Sequence, residues 1–272
     1  MGLAPGSDAA FASVAGRVRE LLASYRPPDF GHVPDPDAAL FLCAVDHKSG
    51  YVGSHMVDGA GPFRGSALMW AVGLRVARER DGDWLTARRL VEVTAEEVAE
   101  AFRIEGETVR DPERRASLWR DLAAGLLRDH KGSAARLNDA AGARLGEQGG
   151  LLHLLSRYEA FADPLAKKAQ LYAKICERRG WVTVTDPEHW EVSADSVLMR
   201  LALRSGLVAA GELDDVRAAT RDAFRRVARE AEVSPPVLDD LLWERGREDP
   251  DLLGSEGGDV REPPRDPESA YY

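Results

Sequence analysis

Apolar residues recur at helical spacing along almost the whole chain, and this periodicity restricts the possible folds more than any other feature. In residues 8–25, for example, Phe11, Val14 and Val18 share one face of a helix that stops before Pro27. About ten such segments are separated by Gly, Pro or Asp, and no series of alternating strands accompanies them. The sequence therefore predicts an all-α fold.

Composition changes near residue 247. Residues 247–272 hold eight acidic residues against three arginines and are rich in Gly and Pro, which is typical of disorder. We expect a single compact multi-helix domain over residues 1–246, followed by a disordered acidic tail. The tail carries −5 of the formal net charge of −10, so the rest is mildly acidic. Because long nucleic acids favour basic surfaces, a small-molecule nucleoside or nucleotide is the expected partner.

Several features indicate a cytoplasmic protein without membrane association. The chain has no run of about 18 apolar residues, and its first residues lack the basic start and apolar core of a secretory signal. Cys43 and Cys176 lie far apart within apolar helical patterns. A cysteine in such a pattern is typically a small core residue, not a metal ligand or half of a disulfide.

The strongest catalytic candidate is Asp195, within residues 161–207. It precedes the apolar residues Val197, Leu198 and Leu201, which is the pattern of a helix N-terminus. Backbone N–H groups and the helix dipole favour a charged carboxylate at that position. Such a carboxylate can stabilise an oxocarbenium-like centre during cleavage of a glycosidic bond. The alternative is that Asp195 only caps the helix.

A long stretch without a period, residues 47–66, follows an apolar segment that ends at Asp46. Asp46 and His47 have side chains that can read the donor and acceptor edges of a purine-like base. The spacing of the His and Asp residues matches no metal-binding motif, so neither a metal nor another cofactor is expected. Arg64 could hold one phosphate at a helix N-terminus that Ser66 is predicted to cap. An ordinary polar surface is the alternative.

Lys167 and Lys168 lie on a helix predicted to start at Pro164. Adjacent helical residues point about 100° apart, so at most one of these lysines is expected to face a pocket. A buried lysine could form a Schiff base with a sugar, whereas the default is a solvated pair. Trp190 could stack on a base or pack in the core.

Two segments of this region resemble a known family. DPLAKKAQLYAKI (residues 163–175) followed by ADSVLMRLALRSGLV (residues 194–208) is similar to the queuosine salvage proteins, the queuosine 5′-phosphate N-glycosylases. Weaker collinear matches, such as GPFRGSALMWA, extend the resemblance over residues 39–230. That family is similar in fold to the helix-hairpin-helix DNA glycosylases. The resemblance implies an all-helical glycosylase-like fold and places the catalytic carboxylate at Asp195.

The favoured interpretation is an N-glycosidase that hydrolyses the base–sugar bond of a purine or 7-deazapurine nucleoside or its 5′-monophosphate. Asp195 would stabilise the oxocarbenium ion or position the attacking water. The predicted substrate-binding residues are Asp46, His47, Arg64, Lys167, Lys168 and Trp190. One alternative is a DNA base-excision glycosylase of the 8-oxoguanine type, which the absence of a glycine-rich hairpin of the LPGVGxKT type disfavours. The other is a helical binding protein without activity.

Overall fold

A computed structural model describes residues 3, 5–80, 83–146, 148–258, 262–266 and 269–271. Within these residues the chain forms twelve α-helices and one two-stranded sheet, so the predicted helical class is confirmed. The chain divides into two compact units. Unit 1 comprises Met1–Asp29 and Glu188–Ser269, and unit 2 comprises Phe30–Pro187 and Ala270–Tyr272. A single N-glycosidase-like domain over residues 1–246 stays a prediction.

In chain order the regular elements are α1 (Asp8–Leu22), α2 (Pro36–Ala44), β1 (Ser54–Val57), β2 (Ala60–Arg64), α3 (Gly65–Glu79), α4 (Ala87–Leu90), α5 (Ala95–Ala101), α6 (Pro112–His130), α7 (Ala134–Ala141), α8 (Leu151–Leu155), α9 (Lys167–Arg178), α10 (Ser196–Arg204), α11 (Leu213–Ala231) and α12 (Pro235–Gly246). Single 3₁₀ turns cover Glu159–Phe161 and Pro187–His189. Among the described helices, none combines the length and the apolar character needed to cross a membrane.

Unit 1 packs α1, α10, α11 and α12 around one apolar core. Phe11, Val14 and Val18 of α1 and Phe224 and Val227 of α11 are buried in this core. Because these positions repeat every three or four residues, α1 and α11 each bury one apolar stripe. The helical periodicity in the sequence therefore identifies the core face correctly.

Part of the C-terminal segment is attached to unit 1. Asp251 accepts two hydrogen bonds from the guanidinium of Arg204, at 2.7 and 2.6 Å, and Leu253 is buried. Residues 259–261, 267, 268 and 272 lie outside the described residues. The disorder predicted for residues 247–272 therefore stays a prediction.

Unit 2 is built around α2. Its residues 38–44 are all buried, and the helix packs against α3, α6, α7 and α9. A helix that is apolar on all sides has to lie inside the fold. Asp35 caps its N-terminus by accepting the N–H of Ala38 at 2.8 Å, and the indole N–H of Trp119 donates to the carbonyl of Phe41 at 2.7 Å. The carbonyl groups at the C-terminal end of α2 are bound by side chains of α6 and α9 instead.

A β-hairpin lies within the stretch that showed no sequence period. Strands β1 and β2 pair in antiparallel register, with His55 opposite Phe63 and a turn at Asp58-Gly59. The sequence pattern of residues 47–66 therefore did not predict the two strands that the structure contains. The Asp-Gly dipeptide was the available signal, because it favours the tight turn of a two-residue hairpin.

Candidate active site

Asp195 forms the N-cap of α10 in unit 1. Its Oδ1 accepts the N–H groups of Val197 and Leu198, at 2.9 and 3.0 Å, and the residue is half-buried. These donors and the positive end of the helix dipole stabilise negative charge on the carboxylate. The predicted cap is confirmed, and the catalytic role of Asp195 stays a prediction.

The chain just before Asp195 is fixed by Asp239 of α12. Oδ1 of Asp239 accepts the N–H of Ser193 at 2.6 Å, and both residues are buried. Trp190, in the same segment, is also buried, which agrees with the alternative of packing in the core. Its stacking on a base stays a prediction. Asp239 went unnoticed in the sequence, although an Asp inside the apolar run of α12 is a usable signal of a buried polar contact.

Five polar side chains meet where α2 ends in unit 2. Asp46, His47, Arg115, Lys167 and Lys168 form this α2 cluster, and each is at most 8% exposed. The last carbonyl groups of a helix have no partner within the helix and carry partial negative charge. The end of α2 is therefore a favourable place for buried cations.

Arg115 of α6 binds the backbone that follows α2. Its guanidinium donates to the carbonyl oxygens of Val45, His47 and Lys48, with distances of 2.6 Å to His47 and 3.1 Å to Lys48. A further bond of 2.8 Å reaches the carbonyl of Arg110. A planar group with five N–H donors suits several carbonyls at once. Arg115 thus fixes the backbone of the segment after α2.

Both lysines of α9 reach the same end of α2. Nζ of Lys168 donates to the carbonyl of Ala44 at 2.6 Å and lies 3.3 Å from Nδ1 of His47. Nζ of Lys167 donates to the carbonyl of Asp46 at 3.0 Å. The predicted solvated pair is therefore wrong, and so is the limit of one inward lysine. Their flexible four-carbon stems bring both ammonium groups to one place, although adjacent residues leave the helix about 100° apart.

The side chain of Asp46 has a donor near each oxygen. The hydroxyl of Ser66 donates to Oδ1 at 2.6 Å, and Nζ of Lys167 lies 3.9 Å from Oδ2. Ser66 does not cap α3, because this helix already begins at Gly65 and its N-cap, Arg64, makes no side-chain capping bond. The Arg64 residue is exposed, and its contact with a phosphate stays a prediction.

Burial changes the protonation of the α2 cluster. It holds the pKa of Lys168 well below the ordinary value of 10.5, and the charge of Lys167 lowers that pKa further. It also lowers the pKa of His47, with added repulsion from Lys168 and Arg115, so His47 is neutral at neutral pH. A neutral imidazole offers one donor and one acceptor, and a lysine with a lowered pKa is a better nucleophile.

The predicted site residues belong to both units. The α2 cluster contains Asp46, His47, Lys167 and Lys168, whereas Arg64 lies on the surface of unit 2, and Asp195 and Trp190 belong to unit 1. Arg115 is a functional candidate that the sequence interpretation missed, whereas Ser66 was predicted to cap α3 and not to contact Asp46. Arg115 carried a signal, because it lies on the same helical face as Leu118, Trp119 and Leu122, and a charge on an apolar face indicates a buried contact.

A cavity of about 380 Å³ opens elsewhere in unit 2, between α3 and the chain that follows α5. Its walls carry Arg75, Arg80 and Arg103 against Glu79, Glu100 and Glu105. The cavity is not lined by the α2 cluster, and its balanced charges favour no ligand of one sign. Among the described side chains, no group of three or more His, Cys, Asp or Glu could hold a metal ion.

Comparison with known proteins adds no family to these observations. No family model and no curated protein matches the chain. The resemblance to the queuosine salvage proteins therefore rests on the sequence segments quoted above.

Proposed function

We propose that the protein is an N-glycosidase that hydrolyses the base–sugar bond of a purine or 7-deazapurine nucleoside or nucleoside 5′-monophosphate. The observation that carries this proposal is the α2 cluster, where Asp46-His47 and Lys167-Lys168 meet although they lie 121 residues apart in the sequence. Buried charges cost free energy unless they are bonded, and groups with shifted pKa values are concentrated at functional sites.

Asp195 is the proposed catalytic residue. As the bond to the base breaks, positive charge develops on the sugar at C1′ and the ring oxygen. A carboxylate oriented by two backbone N–H groups is suited to stabilise that charge or to position the attacking water. Water then adds to C1′ while the base leaves with the bonding electrons and gains a proton. Trp190, five residues before Asp195, is the proposed stacking partner of the base.

The α2 cluster is proposed to bind the substrate. The neutral imidazole of His47 and the carboxylate of Asp46 provide the donor and acceptors that a purine edge requires. Lys167 and the exposed Arg64 provide positive charge for a 5′-phosphate, and the amine of Lys168 provides an N–H donor. This division of roles needs no cofactor.

Release of free base from a panel of nucleosides and nucleoside 5′-monophosphates, followed by chromatography, tests the proposal. Asp195→Asn removes the charge but keeps a capping side chain, because Asn caps helices as well as Asp does. We expect a folded protein in which base release falls by about a hundredfold or more. Asp35→Asn, at the N-cap of α2, is the matched control and should keep full activity. No release from any substrate, or equal release by Asp195→Asn, would rule the proposal out.

A DNA base-excision glycosylase is the second candidate, and the state of Lys168 favours it. Because burial and the charge of Lys167 lower the pKa of Lys168, more of its amine is uncharged and nucleophilic at neutral pH. After base release, this amine and the open-chain sugar aldehyde would form an imine and one molecule of water. The acidic net charge of residues 1–246 argues against tight binding of long DNA.

Borohydride trapping on a duplex that contains 8-oxoguanine tests this second candidate. The wild-type protein should form a covalent adduct, which Lys168→Met should abolish and the exposed control Lys131→Met should retain. Methionine fits the buried position of Lys168 without leaving a charge or a large cavity. Absence of an adduct, or of salt-dependent DNA binding, removes the DNA glycosylase from consideration.

A further inference from the structure

His55 of β1 is held between two carboxylates. Its Nδ1 lies 2.9 Å from Oε2 of Glu105, and its Nε2 lies 3.2 Å from Oε1 of Glu107. A neutral imidazole carries a proton on only one ring nitrogen, so the other nitrogen would present a lone pair to a carboxylate. Both contacts are favourable only when the ring is a protonated imidazolium.

The turn at Glu107 also holds the chain before β1. The carboxylate of Glu107 accepts the N–H of Val52 at 2.8 Å and that of Gly53 at 3.1 Å. Next to them, the hydroxyl of Tyr51 donates to the carbonyl of Phe102 at 2.6 Å. One carboxylate therefore joins His55, the chain before β1 and the turn.

The hairpin leads directly to the α2 cluster. His55 of β1 pairs with Phe63 of β2, and β2 runs without a break into α3, which begins at Gly65. Ser66, in the first turn of α3, donates to Asp46 at 2.6 Å. A displacement of the hairpin would therefore move the hydroxyl that orients Asp46.

We propose that protonated His55 is a latch that fixes the β1–β2 hairpin to Glu105 and Glu107 and thereby holds Ser66 against Asp46. Loss of the proton releases the hairpin. The attachment of the hairpin stands on its own contacts, whereas control of catalysis through Asp46 rests on the proposed glycosidase function.

The charged groups around β1 determine the direction of the pH response. Charged side chains on the elements packed against β1 are Glu105 and Glu107 on the turn, Arg64 on β2, and Arg75, Arg78 and Glu79 on α3. Arg78 is bound at 2.5 Å to Asp58 in the hairpin turn, and Arg75 lies 3.7 Å from Glu79. The two glutamates are therefore the charged groups in direct contact with the ring of His55.

The hydrogen bond to Glu105 raises the pKa of His55 above its ordinary value of 6.5, and Glu107 raises it further. The N–H groups of Val52 and Gly53 lower the pKa of Glu107, which keeps this carboxylate charged. A group with a raised pKa stabilises the fold fully below its ordinary value and loses this effect as the pH rises through the raised value. The latch is therefore closed in acid and opens on the alkaline side of pH 6.5.

Amide hydrogen exchange and NMR titration of the full chain test the latch. The His55 ring signal should titrate above the ordinary value, and protection of the Val52 and Gly53 amides, corrected for intrinsic exchange, should fall about tenfold or more over the same pH range. In His55→Gln, protection should be low at all pH values. His153→Gln, at a half-exposed site in the same unit, should behave like the wild type. An ordinary or lowered His55 pKa, or protection that does not follow it, would overturn the latch.

Measuring base release across the same pH range distinguishes a failure of the latch from a failure of the proposed glycosidase function. Activity that falls as His55 loses its proton, and that is already low and without this step in His55→Gln, supports control of Asp46. If the activity does not change as His55 titrates, control of catalysis through Asp46 is overturned. A latch that opens in a protein without any base release supports the hairpin mechanism and refutes the glycosidase.

Discussion

Acidification to about pH 5 should destabilise unit 2 through His47. Burial keeps the pKa of this imidazole below its ordinary value of 6.5, so the ring stays neutral in the folded protein. The unfolded chain, in contrast, takes up a proton once the pH falls below that ordinary value. Because the unfolded state then binds more protons, the free energy of unfolding decreases as the pH falls.

The size of this effect follows from proton linkage. Each proton that only the unfolded chain binds lowers the free energy of unfolding by about 1.36 kcal/mol per pH unit. Between about pH 7.5 and pH 5, an ordinary pKa of about 6.5 gives a loss of about 2 kcal/mol, or about thirtyfold in the unfolding equilibrium. Solvent screens little of this effect, because His47 is only 6% exposed.

Urea denaturation at the two pH values measures the loss, with fluorescence of the buried Trp84 and Trp119 as the signal. His47→Gln retains a polar partner for Lys168 but cannot titrate. The wild type should lose about 2 kcal/mol more than this variant on acidification, and His153→Gln should respond like the wild type. Equal losses in the wild type and His47→Gln would mean that the folded protein also protonates His47, and the assignment of a neutral, buried imidazole would be refuted.

Two other predictions concern packing and reactivity. Gly125→Ala should lower the free energy of unfolding by about 1–3 kcal/mol, because the new Cβ would lie 2.3 Å from the ring of Tyr158. Gly16→Ala, with no heavy atom within 4 Å, should raise it by about 0.5–1 kcal/mol, and chemical denaturation measures both. Burial raises the pKa of the Cys43 thiol and raises that of Cys176 to about 11. Mass spectrometry should therefore detect iodoacetamide adducts on both only after unfolding.

Features decided within one helical turn could be predicted from the sequence. The capping-box pattern of Thr94 and Glu97 predicts the start of α5, and the structure contains both reciprocal hydrogen bonds. The pair Asp111-Pro112 likewise predicts the start of α6. The hairpin was missed because its two strands have only four and five residues, with few apolar positions. Its stability depends on distant contacts, such as those of His55.

The burial of Lys167 and Lys168 could not be predicted from their own segment. Local composition favours a solvated lysine pair, and only the arrangement of α2 against α9 brings the carbonyls of Ala44 and Asp46 within reach. These contacts join residues more than 120 positions apart. A charged residue on an apolar helix face, as at Arg115, is the sequence signal that comes nearest to identifying such contacts.

Asp195 shows why a helix cap and a catalytic carboxylate share one sequence pattern. Both roles depend on backbone N–H groups and the positive end of a helix dipole, which favour negative charge at that position. Capping employs Oδ1, which accepts both N–H groups of the first turn. The same bonds that stabilise α10 would thus orient the carboxylate for catalysis, so the two interpretations do not compete. Because Asn retains the cap and loses the charge, Asp195→Asn should separate them by leaving stability nearly unchanged while abolishing base release.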